Sequence, residues 1–286
     1  MENIQTLTLD QAIELVPAIG ATAPAEKASK SYQFVSTRNI LERVIDDGWT
    51  ITNATAQNRT PYAQHRVTLI HENDLQRARE GANSETIPRI EMFNSHNLTK
   101  RLMFAIGLFR FLCSNGLIVA SGPAETIRTK HRFSNDRLDE IMDQVGQISA
   151  RFPLVNKTVE DFKSRILTEG EQVAFAEYAI KGRFNYRPAM PKRFRDIGRT
   201  VEKLLAHRRE EDNGNTTWQV FNRVQENLIT GVEGFTRPIR GYSDNIRVNQ
   251  LLWKGAETTL KFDGQQLNNA LLDLIVKDGK KGKIAA

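Results

Sequence analysis

The stretch Asn97-Leu98-Thr99-Lys100-Arg101-Leu102-Met103-Phe104-Ala105-Ile106-Gly107-Leu108-Phe109-Arg110-Phe111-Leu112-Cys113-Ser114-Asn115-Gly116-Leu117-Ile118-Val119 is the most apolar part of the chain, and its reading sets the architecture. From Asn97 to Cys113 it has the length of a helix. It is apolar on every side through Leu102, Met103, Phe104, Ile106, Leu108, Phe109, Phe111 and Leu112, which predicts a central buried helix. Ser114-Asn115-Gly116 ends that helix, since Asn and Gly tolerate positive φ, and Leu117-Ile118-Val119-Ala120 follows as a short buried strand. Leu102 to Cys113 is too short for a membrane span of about 20 residues and is interrupted by Arg110.

Working outward, the segments upstream alternate between helix and strand. Thr8 to Val16 reads as a short helix stopped by Pro17, and residues 17–31 as a linker. Ser36 or Thr37 caps a helix with Ile40, Leu41, Val44 and Ile45 on one face, and Gly48 ends it. Strands are expected at Trp49–Thr52, Val67–Ile70 and Ile87–Phe93, with a polar loop at 72–85. Pro88 predicts a strand start or an edge. Thr126–Arg132 is a further strand candidate.

From Ser134 the period becomes helical. Leu138, Ile141, Met142, Val145 and Ile148 share one face behind a Ser134 cap. Helices are expected at 158–168, 170–181, 192–210, 216–230, 243–254 and 264–276, with a capping box at Thr168-Glu169-Gly170-Glu171. The expected class is α+β: an N-terminal helix and linker over 1–31, an α+β domain over 32–132, a helical region over 133–276, and a basic flexible tail over 277–286.

The 286 residues carry a formal net charge of +6 and suffice for one large or two smaller domains with a true core. Residues 1–120 hold 12 Lys+Arg and 12 Asp+Glu, whereas residues 121–286 hold 28 and 22. Excess positive charge confined to one region suits a surface that meets a polyanion. The N-terminus lacks the basic and apolar regions of a signal peptide, and a single cysteine fits a reducing cytoplasm.

One segment concentrates that charge. Lys181-Gly182-Arg183-Phe184-Asn185-Tyr186-Arg187-Pro188-Ala189-Met190-Pro191-Lys192-Arg193-Phe194-Arg195 has six basic residues and no acid, with three interleaved aromatics. Lys181, Arg183, Arg187, Lys192, Arg193 and Arg195 are suited to phosphates, and Phe184 and Tyr186 to stacking on unpaired bases. The competing reading is a solvated loop whose aromatics tuck into a helical core. Further basic groups stand at Arg128–Arg132, His207-Arg208-Arg209 and Arg237–Tyr242, and nothing in the sequence says whether they converge.

Other constellations carry less. Cys113 with His96 and Asn115 has the residue types of a cysteine nucleophile, yet a cysteine at the end of an apolar helix packs as a small hydrophobe. His65 and His71 share a face of a strand, and with His96 they lack a metal-binding spacing or an interposed carboxylate, so no metal or cofactor is expected. The acidic clusters Asp46-Asp47, Asp139-Glu140 and Glu210-Glu211-Asp212 read as solvated charge. No glycine-rich phosphate loop and no complete catalytic motif is present, which weighs against an enzyme.

Phe93-Asn94-Ser95-His96-Asn97 and Gly107–Val119, with its Phe-Arg-x-x-Cys-Ser-Asn-Gly-Leu run, resemble the phage/plasmid-like proteins of unknown function. Tyr32-Gln33-Phe34-Val35 and Gly48-Trp49 also fit that pattern, so the resemblance covers roughly residues 30–250. Asn97 departs from it, standing where many members have an acidic residue. The resemblance implies a gene of a mobile element among replication and recombination functions, and supplies no catalytic residue. Asn94, Ser95 and His96 are then expected to cap the start of the buried helix, and Asn115 and Gly116 to close its end. Arg110, inside an apolar segment, requires a carboxylate or a phosphate partner.

Together these features predict a non-enzymatic DNA-binding protein that prefers single strands, acts in recombination, annealing or replication, and is compatible with a homo-oligomer. The alternative is an interaction protein that binds a host or phage protein, such as a host-defence inhibitor. A third reading is an enzyme with an unrecognised site at His96, Arg110 and Cys113.

Overall fold

The computed structural model describes residues 4–28, 32, 34–80, 86–100, 102–110, 113–118, 137–184, 197–232 and 236–284. The chain divides into two units, Met1–Val155 and Asn156–Ala286. The expected boundary at 132/133 moves some twenty residues toward the C-terminus, because the helix that follows it packs on the sheet rather than among the later helices.

The first unit opens with α1 (Leu9–Leu15), capped by Thr8 and Gln11 in a reciprocal box. Next comes α2 (Thr37–Asp46), whose N-cap is Ser36; its hydroxyl accepts from the Asn39 N–H. Gly48, at φ 85°, turns the chain into the sheet, since that backbone region carries a steric cost for any residue with a Cβ.

The sheet is a five-stranded antiparallel meander in chain order: β1 (Trp49–Ala56), β2 (His65–His71), β3 (Thr86–Asn94), β4 (Met103–Arg110) and β5 (Cys113–Ile118). The expected central helix over Asn97–Cys113 is therefore overturned. Phe104, Ile106 and Leu108 point to one face of β4 and Ala105 and Gly107 to the other, and both sets are buried. A strand covered on both faces loses the period-two alternation, and its continuous apolar run then mimics a buried helix. Ser114-Asn115-Gly116 accordingly lies within β5 and ends no helix.

The polar segment after β2 also departs from expectation. It contains α3 (Glu72–Arg79), whose Leu75 and Ala78 pack with Ile70 and Ile87 in a small buried cluster. Two apolar residues one turn apart are too weak a stripe to read as a helix. Pro88 sits in β3 beyond the β2 pairing, which ends at Leu69–Ile90, so its missing N–H interrupts no bond to β2. The opposite face of the sheet, carrying Trp49, Ile51, Val67, Leu69, Ile90 and Met92, is buried under α1, α2 and α4 (Arg137–Ser149). Ile141, Val145 and Ile148 of α4 are buried, as the periodicity predicts. The Thr126–Arg132 candidate and the Ser134 cap lie outside the described residues.

α5 (Phe152–Ser164) leads into the second unit, which is helical throughout: α6 (Glu169–Arg183), α7 (Ile197–Leu205), α8 (Thr217–Thr230), α9 (Tyr242–Thr259) and α10 (Gly264–Ile284). The Thr168–Glu171 capping box forms as expected. α8 is central, and its Trp218 and Phe221 stack within an aromatic core completed by Phe162 and Trp253. Asp212, expected to be solvated, is 1% exposed and faces Arg223. α10 is assigned as far as Ile284, so it runs into the segment expected as a tail.

Candidate functional site

Two polar constellations qualify, one in each unit. The first gathers the Asn-Ser-His element on a single hydroxyl. Thr37 lies in the first turn of α2, and its Oγ1 stands 2.8 Å from His65 Nε2, 3.3 Å from His96 Nε2 and 3.0 Å from Asn94 Nδ2. All four residues are at most 1% exposed.

The proton positions follow from the partners. His65 Nδ1 is 2.9 Å from the Ala63 carbonyl, which only accepts, so this nitrogen carries the hydrogen and Nε2 of the neutral ring accepts from the Thr37 hydroxyl. With that proton used, Thr37 Oγ1 accepts from both Asn94 Nδ2 and His96 Nε2. The His65 and His96 rings lie 5.2 Å apart.

Asn94, Ser95 and His96 therefore cap no helix, contrary to expectation, because no helix follows them. Asn94 ends β3 and ties it to α2. Ser95 closes the next loop, its hydroxyl donating to the Lys100 carbonyl and accepting from the Lys100 N–H, each at 2.9 Å. His71, at the far end of β2, caps α3 through Nδ1 and meets Trp49 edge-on, so it joins neither His65 nor His96. Among the described residues no group of three His, Cys, Asp or Glu is placed to hold a metal.

Burial without a compensating carboxylate lowers the His65 pKa to about 4, with the Ala63 bond working in the opposite direction. The unfolded chain takes up this proton near pH 6.5, whereas the folded chain excludes it until about pH 4. Stability from this group is therefore complete above about pH 7, falls as the pH drops toward 4, and levels off below that. The expected loss is about 2 kcal/mol at pH 5 relative to pH 7.5. Hydrogen exchange of β1–β3 amides at the two pH values checks it, and the difference should shrink in His65→Gln.

On the other face of the sheet, Glu91 is fully buried. It accepts from the Thr68 hydroxyl at 2.9 Å and pairs with Arg89 at 2.7 Å and Arg66 at 3.6 Å. Arg110 is 6% exposed at the end of β4, paired in register with Thr86 and Cys113, and it is not without a partner. Burial to this degree suits cross-sheet ties rather than contact with a ligand.

The second constellation lies at one end of the helical unit, where α6 and α8 both terminate. Arg183 donates to the carbonyls of Leu228 and Arg237, and Arg247 reaches the carbonyls of Gly182 and Arg183 at 2.9 and 2.8 Å. Arg208 holds Asn227 Oδ1 at 2.7 Å and the Gly231 carbonyl at 3.2 Å. Guanidinium groups at helix C-termini satisfy orphan carbonyls and meet the negative end of the macrodipole.

Two of the three additional basic segments thus converge on the end of α6, a point the sequence leaves open; Arg128–Arg132 lie outside the described residues. Some of the charge is neutralised, since Lys181 pairs with Glu177, Arg209 with Glu226 and Arg247 with Asp244. Arg208, by contrast, bonds to neutral oxygens. Arg237 and Arg240 are exposed and have no ion-pair partner among the described residues. Phe184 caps α6 with the Arg183 guanidinium 5.5 Å from its ring centroid. Tyr186, Arg187, Lys192, Arg193 and Arg195 lie outside the described residues.

Comparison with known proteins places the chain. A family model described as a domain of unknown function, DUF932, matches residues 24–253. The chain belongs to that family. The DUF932 match takes in both constellations and agrees with the expected membership of a family without assigned function. Two relatives from Escherichia coli K12 align over 270 residues, 89% of this chain and 92% of each relative: UPF0380 protein YfjQ at 26% identity and UPF0380 protein YafZ at 25%. No solved structure matches the chain. Among the described residues no helix is long and apolar enough to cross a membrane.

Proposed function

We propose that the protein binds single-stranded DNA without catalysis, through the basic end of its helical unit, in the recombination, annealing or replication of a mobile element. The convergence of Arg208, Arg237 and Arg240 beside the C-terminus of α6 carries this reading. The chain leaves α6 at this end into the segment holding Tyr186, Arg187, Lys192, Arg193 and Arg195. Cations beside aromatic rings are what a strand with unpaired bases requires.

Charge distribution supports it. Residues 1–155 hold 17 Lys+Arg and 17 Asp+Glu, whereas residues 156–286 hold 23 and 17, so the whole excess of +6 belongs to the helical unit. Lys181 and Arg183 serve the fold in this reading, through Glu177 and the helix-end carbonyls, and the phosphate contacts shift to Arg208, Arg237 and Arg240.

The test is anisotropy of a labelled oligo-dT and of a duplex across a salt series, with the mass in solution recorded alongside. Tight binding that favours the single strand and weakens with salt is expected. In Arg208→Glu/Arg237→Glu/Arg240→Glu, affinity should fall at least about tenfold and the log–log salt slope should flatten by about 2, at roughly 0.7 per lost phosphate contact. No binding by the wild type at low salt, or an unchanged slope in the variant, overturns the reading. The first result would direct attention to the alternative of a protein partner.

A further inference from the structure

At the β1 edge of the sheet, a cavity of about 410 Å³ opens between α1, α2 and β1. Its wall is apolar, formed by Leu7, Leu9, Ile45, Trp49 and Ile51. The Leu7 N–H donates to the Ile51 carbonyl at 2.8 Å, which holds that side of the cavity against the strand. Ile4 packs with Ile70 and Ile87 on the other face of the sheet, so the described chain before Leu7 lies outside the cavity. The volume falls within the roughly 300–1,000 Å³ of sites that take a small ligand or a few side-chain groups.

Two carboxylates stand at its mouth. Glu42 and Asp46 line the cavity and are both exposed. At i and i+4 on α2 they share one face, with Cβ atoms about 6 Å apart. Arg38 offsets part of this charge: its Nε pairs with Glu42 Oε1 at 2.8 Å, which leaves Oε2 for a second donor, and Asp10 adds a further negative charge facing Arg38 from α1. Asp46 is in no ion pair among the described residues. It is also the last residue of α2, with Asp47 as the C-cap. Carboxylates there meet the negative end of the helix macrodipole, so the fold gains nothing from them. A cation seated at the mouth removes that repulsion.

An apolar wall beneath two carboxylates selects a guest with an apolar stem and a cationic head. Arginine has this form. Its methylene stem packs on apolar surface, and its planar guanidinium offers five donors, enough to bridge two carboxylates one helical turn apart. We propose that the cavity seats an arginine side chain from a basic, apolar segment of a partner protein, with Glu42 and Asp46 holding the guanidinium and Leu9, Ile45 and Trp49 the stem. The site belongs to the sheet unit and does not rest on the single-stranded DNA reading above.

The full chain labelled with fluorotryptophan is titrated with acetyl-Leu-Arg-Leu-amide at low salt and followed by fluorine NMR, with Trp49 assigned through Trp49→Phe. The Trp49 resonance should shift, while those of Trp218 and Trp253, buried in the helical unit, should stay in place. Citrulline in place of the peptide's arginine keeps the stem and removes the charge, and should weaken binding at least about tenfold. Glu42→Gln/Asp46→Asn should lose a similar factor against the arginine peptide; both positions are exposed and Asp46→Asn relieves a helix end, so this variant keeps the fold. The citrulline comparison needs no variant at all. An unmoved Trp49 resonance at millimolar arginine peptide overturns the inference, as does equal binding of the citrulline peptide or equal binding by the variant. Self-association of the wild type that the variant abolishes would make the occupant a second copy of the chain, and overturns it too.

Discussion

Thr37→Val should destabilise the sheet unit by about 3 kcal/mol while changing its volume little. One hydroxyl serves three side chains: it donates to His65 and accepts from Asn94 and His96, all of them buried. Valine keeps the shape and removes the oxygen, so His65 Nε2 loses a donor and two N–H groups lose their acceptor. Each buried group left unsatisfied costs about 1–3 kcal/mol, and partial relaxation keeps the total near the lower end of the sum. Thr37→Ser, which keeps the hydroxyl, should stay within about 1 kcal/mol of the wild type, having lost only a methyl group. Denaturant dependence of exchange at β1–β3 amides reads both variants. A valine variant as stable as the serine one would mean that the cluster does not hold α2 to the sheet.

The same cluster marks how far the sequence could be read. Local features were legible because their causes are local: the Thr168 capping box, the Ser36 cap and the Gly48 turn each depend on residues within four positions. β4 was not, because burial on both faces erased the alternation that separates strand from helix. Asn94, Ser95 and His96 stood out as an element, but Asn94 and His96 find Thr37 across 57 and 59 residues, a distance no local pattern spans. His65 was visible only in a trio with His71 and His96 weighed for a metal; the fold keeps His65 beside His96 and separates His71 from it by the length of β2. The fully buried Glu91 with Arg89 and Arg66 left no signal beyond scattered charge.

The basic end of the helical unit was half legible. The cations and aromatics of 181–195 were visible in the sequence, as were the groups at 207–209 and 237–242. Their meeting depends on α6 and α8 ending together and on α9 running back between them, which only the packing supplies. The structure also separates cations by task. Arg183 and Arg247 spend their donors on helix-end carbonyls, while Arg237 and Arg240 stand exposed. Composition alone treats all of these as equivalent.

A glycine makes that meeting possible, and Gly231→Ala should cost the helical unit about 3 kcal/mol or more. Gly231 follows α8 at φ 83° and ψ 157°, a region essentially reserved for glycine. An added Cβ would lie 2.6 Å from the Thr236 carbonyl oxygen, 2.8 Å from Pro238 N and 2.9 Å from the Arg237 carbonyl carbon. These are backbone atoms, so no side-chain rotation relieves the clash. The tight approach is held by the Val232–Thr236 bridge and by the Ile239 N–H donating to the Ile229 carbonyl at 2.8 Å. Arg237 and Arg240 are thereby folded back beside the Gly231 carbonyl that Arg208 holds. Alanine must push the two strands of this turn apart, which releases Arg208 and moves Arg237 and Arg240 without altering any charge. Oligo-dT affinity should therefore fall together with stability. Gly170→Ala is the matched control in the same unit: nothing lies within 4 Å of its added Cβ, and in a helix alanine is better than glycine by about 0.5–1 kcal/mol. Denaturant unfolding followed by exchange of α8 amides separates the two. If Gly231→Ala left stability unchanged, the close approach would not be holding this turn. If it lowered stability but not DNA affinity, the geometry of Arg208, Arg237 and Arg240 would not be what the strand recognises.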